Sequence, residues 1–146
     1  MRRRLFGVSA ALLGLLVAAV PAAAHHGFGV EFDGSKCTDI TGTLTSLDWQ
    51  NSHAYFHMDV KGADGNVASW TFEMLSVTAL KRGGTVRQDF LNNVGKVANV
   101  RACPAKGSKY RAAAETLKLS DGRVRIVGMP VEAGRGGSPP GLTINP

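Results

Sequence analysis

Two runs of alternating side chains, His53 to Val60 and Val67 to Met74, flank an Asp64-Gly65 turn signal. In the first run Ala54, Phe56, Met58 and Val60 share one face, with His53, Tyr55, His57 and Asp59 on the other. The second run places Trp70, Phe72 and Met74 together. A period of two around an Asp-Gly pair predicts an antiparallel hairpin with one face in a core. No helical bundle accommodates that pattern.

Further segments extend the β reading. Thr41 to Trp49 is Thr-rich with alternating Leu, and Lys96 to Cys103 offers Val97, Val100 and Ala102 as inward positions, with the parity slipping near Ala98. Thr116–Leu119 and Val124–Val127 flank Asp121-Gly122, a second hairpin signal. Between the two groups, Ser76 to Arg82 reads as one short helix, capped by Ser76 and ended by Gly83-Gly84. Three strands, a helix, then two or three strands is the order of a mainly β, five- to six-stranded barrel of the oligonucleotide/oligosaccharide-binding (OB-like) type. A sandwich or an open meander uses the same elements.

The first 24 residues stand apart. Arg2, Arg3 and Arg4 precede an apolar run from Leu5 to Val20, and Ala22-Ala23-Ala24 follows Pro21. This is the pattern of a secretory signal, too short for a stable membrane span. The expected layout is a signal at 1–24, one OB-like domain at 25–128 and a flexible Gly/Pro-rich tail at 129–146. Without the leader's three arginines the formal charge falls from +6 to +3. That length and charge exclude a two-domain enzyme and a polytopic membrane protein, and give no composition-based case for nucleic acid. The expected location is periplasmic or secreted. There, Cys37 and Cys103, 66 positions apart, form one disulfide by default; a thiolate metal pair is the alternative.

All four histidines fall in two places, His25-His26 and His53/His57. Nucleophile elbows, H-E-x-x-H and phosphate-loop patterns are missing, so a non-enzymatic role is expected. Cleavage after Ala24 makes His25 the N-terminus, whose amine and imidazole, completed by a domain imidazole with His53 favoured, form a three-nitrogen site that suits copper ahead of zinc or nickel, and the candidate metal residues are His25, His26 and His53. Cleavage after Ala22 instead allows a planar site of amine, two amides and His25. His57 lies about 13 Å further along an extended strand than His53, so the two do not share one ion unless the strand breaks. Asn51, His57 and Glu73 are candidate supporting or ligand-facing groups. The plainer readings are a polar mature start for His25-His26, a backbone-bonded loop position for His53, and core filler for Met58, Met74, Trp49 and Trp70. The competing functional reading is a module for an unknown small ligand or envelope protein, without metal, nucleic acid or a membrane span.

The stretches Ala24–Asp33 (A-H-H-G-F-G-V-E-F-D), Gly42–Val60 with W-Q-N-S-H inside it, and Trp70–Glu73 (W-T-F-E) resemble a family of small exported bacterial proteins classed as a domain of unknown function. Its members read A-H-H-S-F-x-x-E-F-D, W-x-N-P-H and W-x-F-E. A late strand followed by L-x-D-G is matched by Leu119-Ser120-Asp121-Gly122. The resemblance spans about Ala24 to Val127. It implies export and a small β-barrel-like fold, but no activity, and it picks out His25, His26, Phe28, Trp49, Asn51, His53, Trp70 and Glu73. This chain has Ser52 where that family has Pro and Gly27 where it has Ser, and its two cysteines are local additions.

Overall fold

The computed structural model describes residues 27–130. The expected signal segment at 1–24, His25, His26 and the part of the expected tail beyond residue 130 lie outside them. The described chain runs α1 (Phe28–Glu31), β1 (Thr38–Asp48), β2 (Tyr55–Lys61), β3 (Val67–Glu73), α2 (Val77–Arg82), α3 (Arg87–Leu91), β4 (Val97–Pro104), β5 (Arg111–Lys118) and β6 (Val124–Ile126).

Strands pair in the order β3-β2-β1-β4-β5-β6, and an additional β3–β5 pairing closes the first five into a barrel with β6 outside. The closing pair is parallel, with Thr71, Phe72 and Glu73 opposite Arg111, Ala112 and Ala113; the others are antiparallel. This is the OB-like barrel expected from the sequence. The β2–β3 register pairs Phe56 with Phe72 and Met58 with Trp70. Gly65 takes φ 83° in the connecting turn, a conformation that favours glycine.

The period-two pattern fills the interior. Leu44, Ala54, Phe56, Met58, Phe72, Val100, Ala102, Ala112 and Leu117 are fully buried, and Met74 is nearly so. Met58 and Met74 are therefore core side chains, and Trp49 and Trp70 pack part-buried against the same cluster. Each large side chain removed from water contributes roughly 1.5–3 kcal/mol. Leu80 of α2 and Phe90 of α3 join this core.

Three expectations need correction. Two short helices, not one, lie between β3 and β4. The Ser76 hydroxyl accepts from the Ala79 amide at 3.3 Å, as expected for the first of them, but the five-residue α3 is too short to show a helical period. In β4 the inward residue is Ala98, 4% exposed, while Val97 is 60% exposed. β4 alternates Ala98, Val100, Ala102 inward, so Val97 lies on the outer face at the strand's start. The last long strand begins at Arg111, five residues earlier than the sequence suggested. Its Ala112-Ala113-Ala114 run has little β preference of its own, and packing inside the barrel decides it.

α3 is pinned to the barrel's outer strand through Asp89. This carboxylate is 5% exposed and accepts from Arg123 at 3.1 Å, from Arg125 at 2.9 Å through two nitrogens, and from the Val86 amide at 3.1 Å. Burial pushes its pKa up, but the Arg125 hydrogen bonds, the Val86 amide and the two positive charges outweigh that and hold it below the usual carboxylate value. A depressed folded pKa stabilises the protein above the ordinary Asp range, and this support is lost as pH falls through the folded value. Asp89→Asn is expected to cost about 1.5–3 kcal/mol at pH 7, the range for hydrogen bonds to charged groups. The gap to wild type should narrow steadily between pH 5 and pH 2 in urea titrations. A gap independent of pH would mean the charge contributes nothing.

Candidate functional site

Because Phe56, Met58 and Phe72 point inward, the pleat turns Tyr55, His57, Thr71 and Glu73 onto the barrel's outer face. Cross-strand pairing sets Tyr55 opposite Glu73 and His57 opposite Thr71, with Asp48 and Ser46 of β1 beside them.

His57 uses both ring nitrogens. Nε2 lies 3.0 Å from Asp48 Oδ2 and Nδ1 lies 3.1 Å from Thr71 Oγ1. In the neutral form Nε2–H donates to the carboxylate and Nδ1 accepts from the hydroxyl, leaving no lone pair for an ion. This histidine ties β1, β2 and β3 together.

His53 is placed differently. It precedes β2 in the loop after β1, next to Ala54, whose backbone is fixed by bonds to Leu75 and Met74. Its Nδ1 is 2.9 Å from the Met74 carbonyl oxygen and 3.1 Å from Glu73 Oε1. A carbonyl oxygen only accepts, so Nδ1 carries the hydrogen and the neutral ring keeps its lone pair on Nε2. Nε2 has no hydrogen-bond partner among the described residues, and the side chain is 48% exposed. The bond to backbone expected for a loop histidine is present, but its acceptor is 21 positions away and is joined by a carboxylate.

Glu73, 13% exposed, anchors the surrounding network. Its Oε2 accepts from Arg111 at 2.6 Å, and Arg111 also donates to Glu31. The resulting chain of contacts is Glu31–Arg111–Glu73–His53. Burial lowers the Arg111 pKa, but its hydrogen bonds to Glu31 and Glu73 and their charges raise it more. The guanidinium also sits over the Phe32 ring, 5.3 Å from its centre. Burial, then the nearby Glu73 charge, pushes the Tyr55 phenol above its usual value. The Glu73 carboxylate faces His53 with one oxygen and Arg111 with the other.

Of the residues singled out from the sequence, the structure joins His53 and Glu73. It keeps His57 on separate partners, and Asn51 makes no side-chain hydrogen bond among the described residues. The Asn51–Ser52 peptide is cis. His25 and His26 precede the described residues. Nothing in the sequence singles out Arg111, Glu31 or Tyr55 as site residues: Glu31 sits in the A-H-H-G-F-G-V-E-F-D stretch without a role of its own, and Arg111 precedes an alanine run with no strand signal.

Cys37 and Cys103 form a disulfide, as the sequence suggested. No helix among the described residues is long and apolar enough to cross a membrane.

A second feature lies where the β4–β5 loop meets β3. Trp70 and Tyr110 meet edge to face at 5.6 Å. Together with Pro104, Lys106, Lys109 and Arg111 they line a shallow open cleft. Tyr110 has φ 62°, uncommon for a non-glycine residue.

Residues 12–113 match the model of a family of unknown function, DUF6152. No curated protein and no solved structure matches the chain.

Proposed function

The chain belongs to the family of unknown function DUF6152, and we propose that it is an exported, non-catalytic barrel domain that binds a transition-metal ion, copper first, through His53 Nε2 and the processed N-terminus. The observation that carries this reading is the fixed tautomer of His53. A metal-binding imidazole almost always donates its other N–H to a carboxylate or backbone carbonyl, which orients the ring and raises its basicity. His53 has both acceptors.

Two further features support it. The Glu73 carboxylate is itself held by Arg111, which fixes the oxygen that faces His53. Glu31, tied to Glu73 through Arg111, is six positions after His25, within about 20 Å of extended chain. Cleavage after Ala24 then supplies an amine and imidazoles, a nitrogen set that suits Cu(II).

Calorimetric titration of Cu(II) into the mature chain tests this. One ion is expected per chain. His53→Ala should weaken binding about 100-fold or more, and Glu73→Gln about 10- to 100-fold, the usual effect of losing a supporting acceptor. Equal affinity in wild type and His53→Ala, with the fold intact by circular dichroism, overturns the reading. A chain beginning at Ala23 should instead bind through amine, amides and His25, insensitive to His53.

A second reading rests on the Trp70–Tyr110 cleft. OB-like barrels take ligands on the strand 2–3 face and the adjoining loops, and the lysines there suit an anionic small molecule. Binding at this cleft would be unaffected by chelators and lost in Trp70→Ala.

A further inference from the structure

The barrel closes along a short seam. β3 spans seven residues, but only Thr71, Phe72 and Glu73 pair with β5. Upstream of Thr71, β3 pairs with β2 alone among the described residues. The Thr71 amide donates to the Tyr110 carbonyl at 2.9 Å, so it points away from β2. The β2–β3 register runs unbroken from Tyr55–Glu73 to Lys61–Val67, and backbone groups along a strand alternate sides with a period of two. Val67 and Ser69 therefore turn their N–H and C=O groups to the same open edge as Thr71. Both residues are exposed.

Bare sheet edges are usually blunted by a charge, a proline or a bulge. Val67-Ala68-Ser69-Trp70 carries none of these. The edge ends at the cleft between Trp70 and Tyr110. A strand laid beside it places the side chain next to Trp70 on the same face as the indole, at that cleft.

The charges select the occupant. Lys106, Lys109 and Arg111 line the cleft, and no carboxylate does. Arg111 is committed to Glu31 and Glu73. Lys106 donates to the Gly29 carbonyl, and Lys109 Nζ lies 5.2 Å from the centre of the Tyr110 ring. Neither contact neutralises an ammonium, and both lysines are exposed. On β2, Lys61 opposite Val67 offsets Asp59 opposite Ser69.

We propose that the open edge of β3, from Val67 to Trp70, takes an extended acidic peptide as an added strand, with its carboxylates at Lys106 and Lys109 and an apolar side chain in the Trp70–Tyr110 cleft.

Main-chain hydrogen bonds to Val67 and Ser69 supply affinity, while the cleft and the lysines supply selection. A small anion uses the cleft and the lysines but leaves the edge unpaired; a peptide satisfies all three. The proposal needs no metal and shares only the cleft with the second reading above, from which the edge backbone separates it.

The test is fluorescence anisotropy of the mature chain, in chelator, with a labelled probe of about eight residues. A short alternating valine–threonine run is flanked by glutamates at both ends. Saturable binding is expected, weakened by salt and lost when lysines replace the probe's glutamates. Ser69→Pro removes an outward N–H and leaves the β2 ladder whole, a position where an edge strand tolerates proline. It should bind at least about 10-fold more weakly, and so should wild type with a probe methylated on its backbone nitrogens. Lys106→Glu/Lys109→Glu should lose about 10-fold or more. Hydrogen exchange at the Ser69 amide should slow when the probe binds.

Failure has distinct forms. No saturable binding of the probe by about 1 mM overturns the proposal. Binding that ignores both Ser69→Pro and N-methylation also overturns it, and leaves the cleft to a small anion. A dimer of the free chain that Ser69→Pro dissolves overturns it too, giving the edge to a second copy.

Discussion

Replacing Phe56 by alanine is expected to destabilise the protein by about 3–5 kcal/mol, the usual cost of emptying a large aromatic from a core. Phe56 is fully buried. It stacks on Phe72 at 5.0 Å across the β2–β3 pair and meets Phe90 of α3 at 5.9 Å. Its loss therefore loosens the hairpin and the helix together, and a well-paired sheet cannot collapse far into the gap. Urea unfolding should show a lower midpoint with an unchanged slope, the mark of altered stability without altered compactness. A loss below about 1 kcal/mol would show that Phe56 does not join the two elements.

Removing the disulfide should have a comparable effect. The Cys37–Cys103 link closes 66 positions, and the chain-entropy model gives about 4 kcal/mol for a loop of that length. Small domains are stable by about 5–15 kcal/mol, so this is a large share. Cys37→Ala/Cys103→Ala is expected to melt roughly 15–30 °C below wild type, given about 4–8 °C per kcal/mol at this size. Reductant should lower the wild-type melt in metal-free buffer and leave the double variant unmoved. An unchanged melting temperature in the double variant would mean that the link adds nothing to the stability the barrel has without it.

The β2–β3 hairpin was legible because every signal agreed: alternation over both strands, bulky apolar residues on one face, and Asp64-Gly65 with Gly65 at positive φ. The strand start at Arg111 was not, since Ala112 and Ala114 are buried opposite Pro104 and Ala102 of β4, and alanine itself says nothing of strands. Half of the histidine site followed from local pattern: His53 opens the β2 run, and Glu73 ends β3 on the outer face. The other half depends on closure. Arg111 meets Glu73 only because β3 and β5 pair in parallel, and it meets Glu31 across 80 positions. Neither contact leaves a periodic trace in the sequence. The tautomer of His53 was equally invisible, because it is set by a carbonyl 21 positions away.

The most direct measurement of the histidine site is pulsed electron paramagnetic resonance of the mature chain loaded with one Cu(II). With His53 bound through Nε2, its remote Nδ1 modulates the electron spin echo. The imidazole modulation in wild type should exceed that in His53→Ala by one equatorial ring, with the first-coordination spectrum shifted between the two. Identical modulation in both proteins would contradict the assignment of His53 as a ligand.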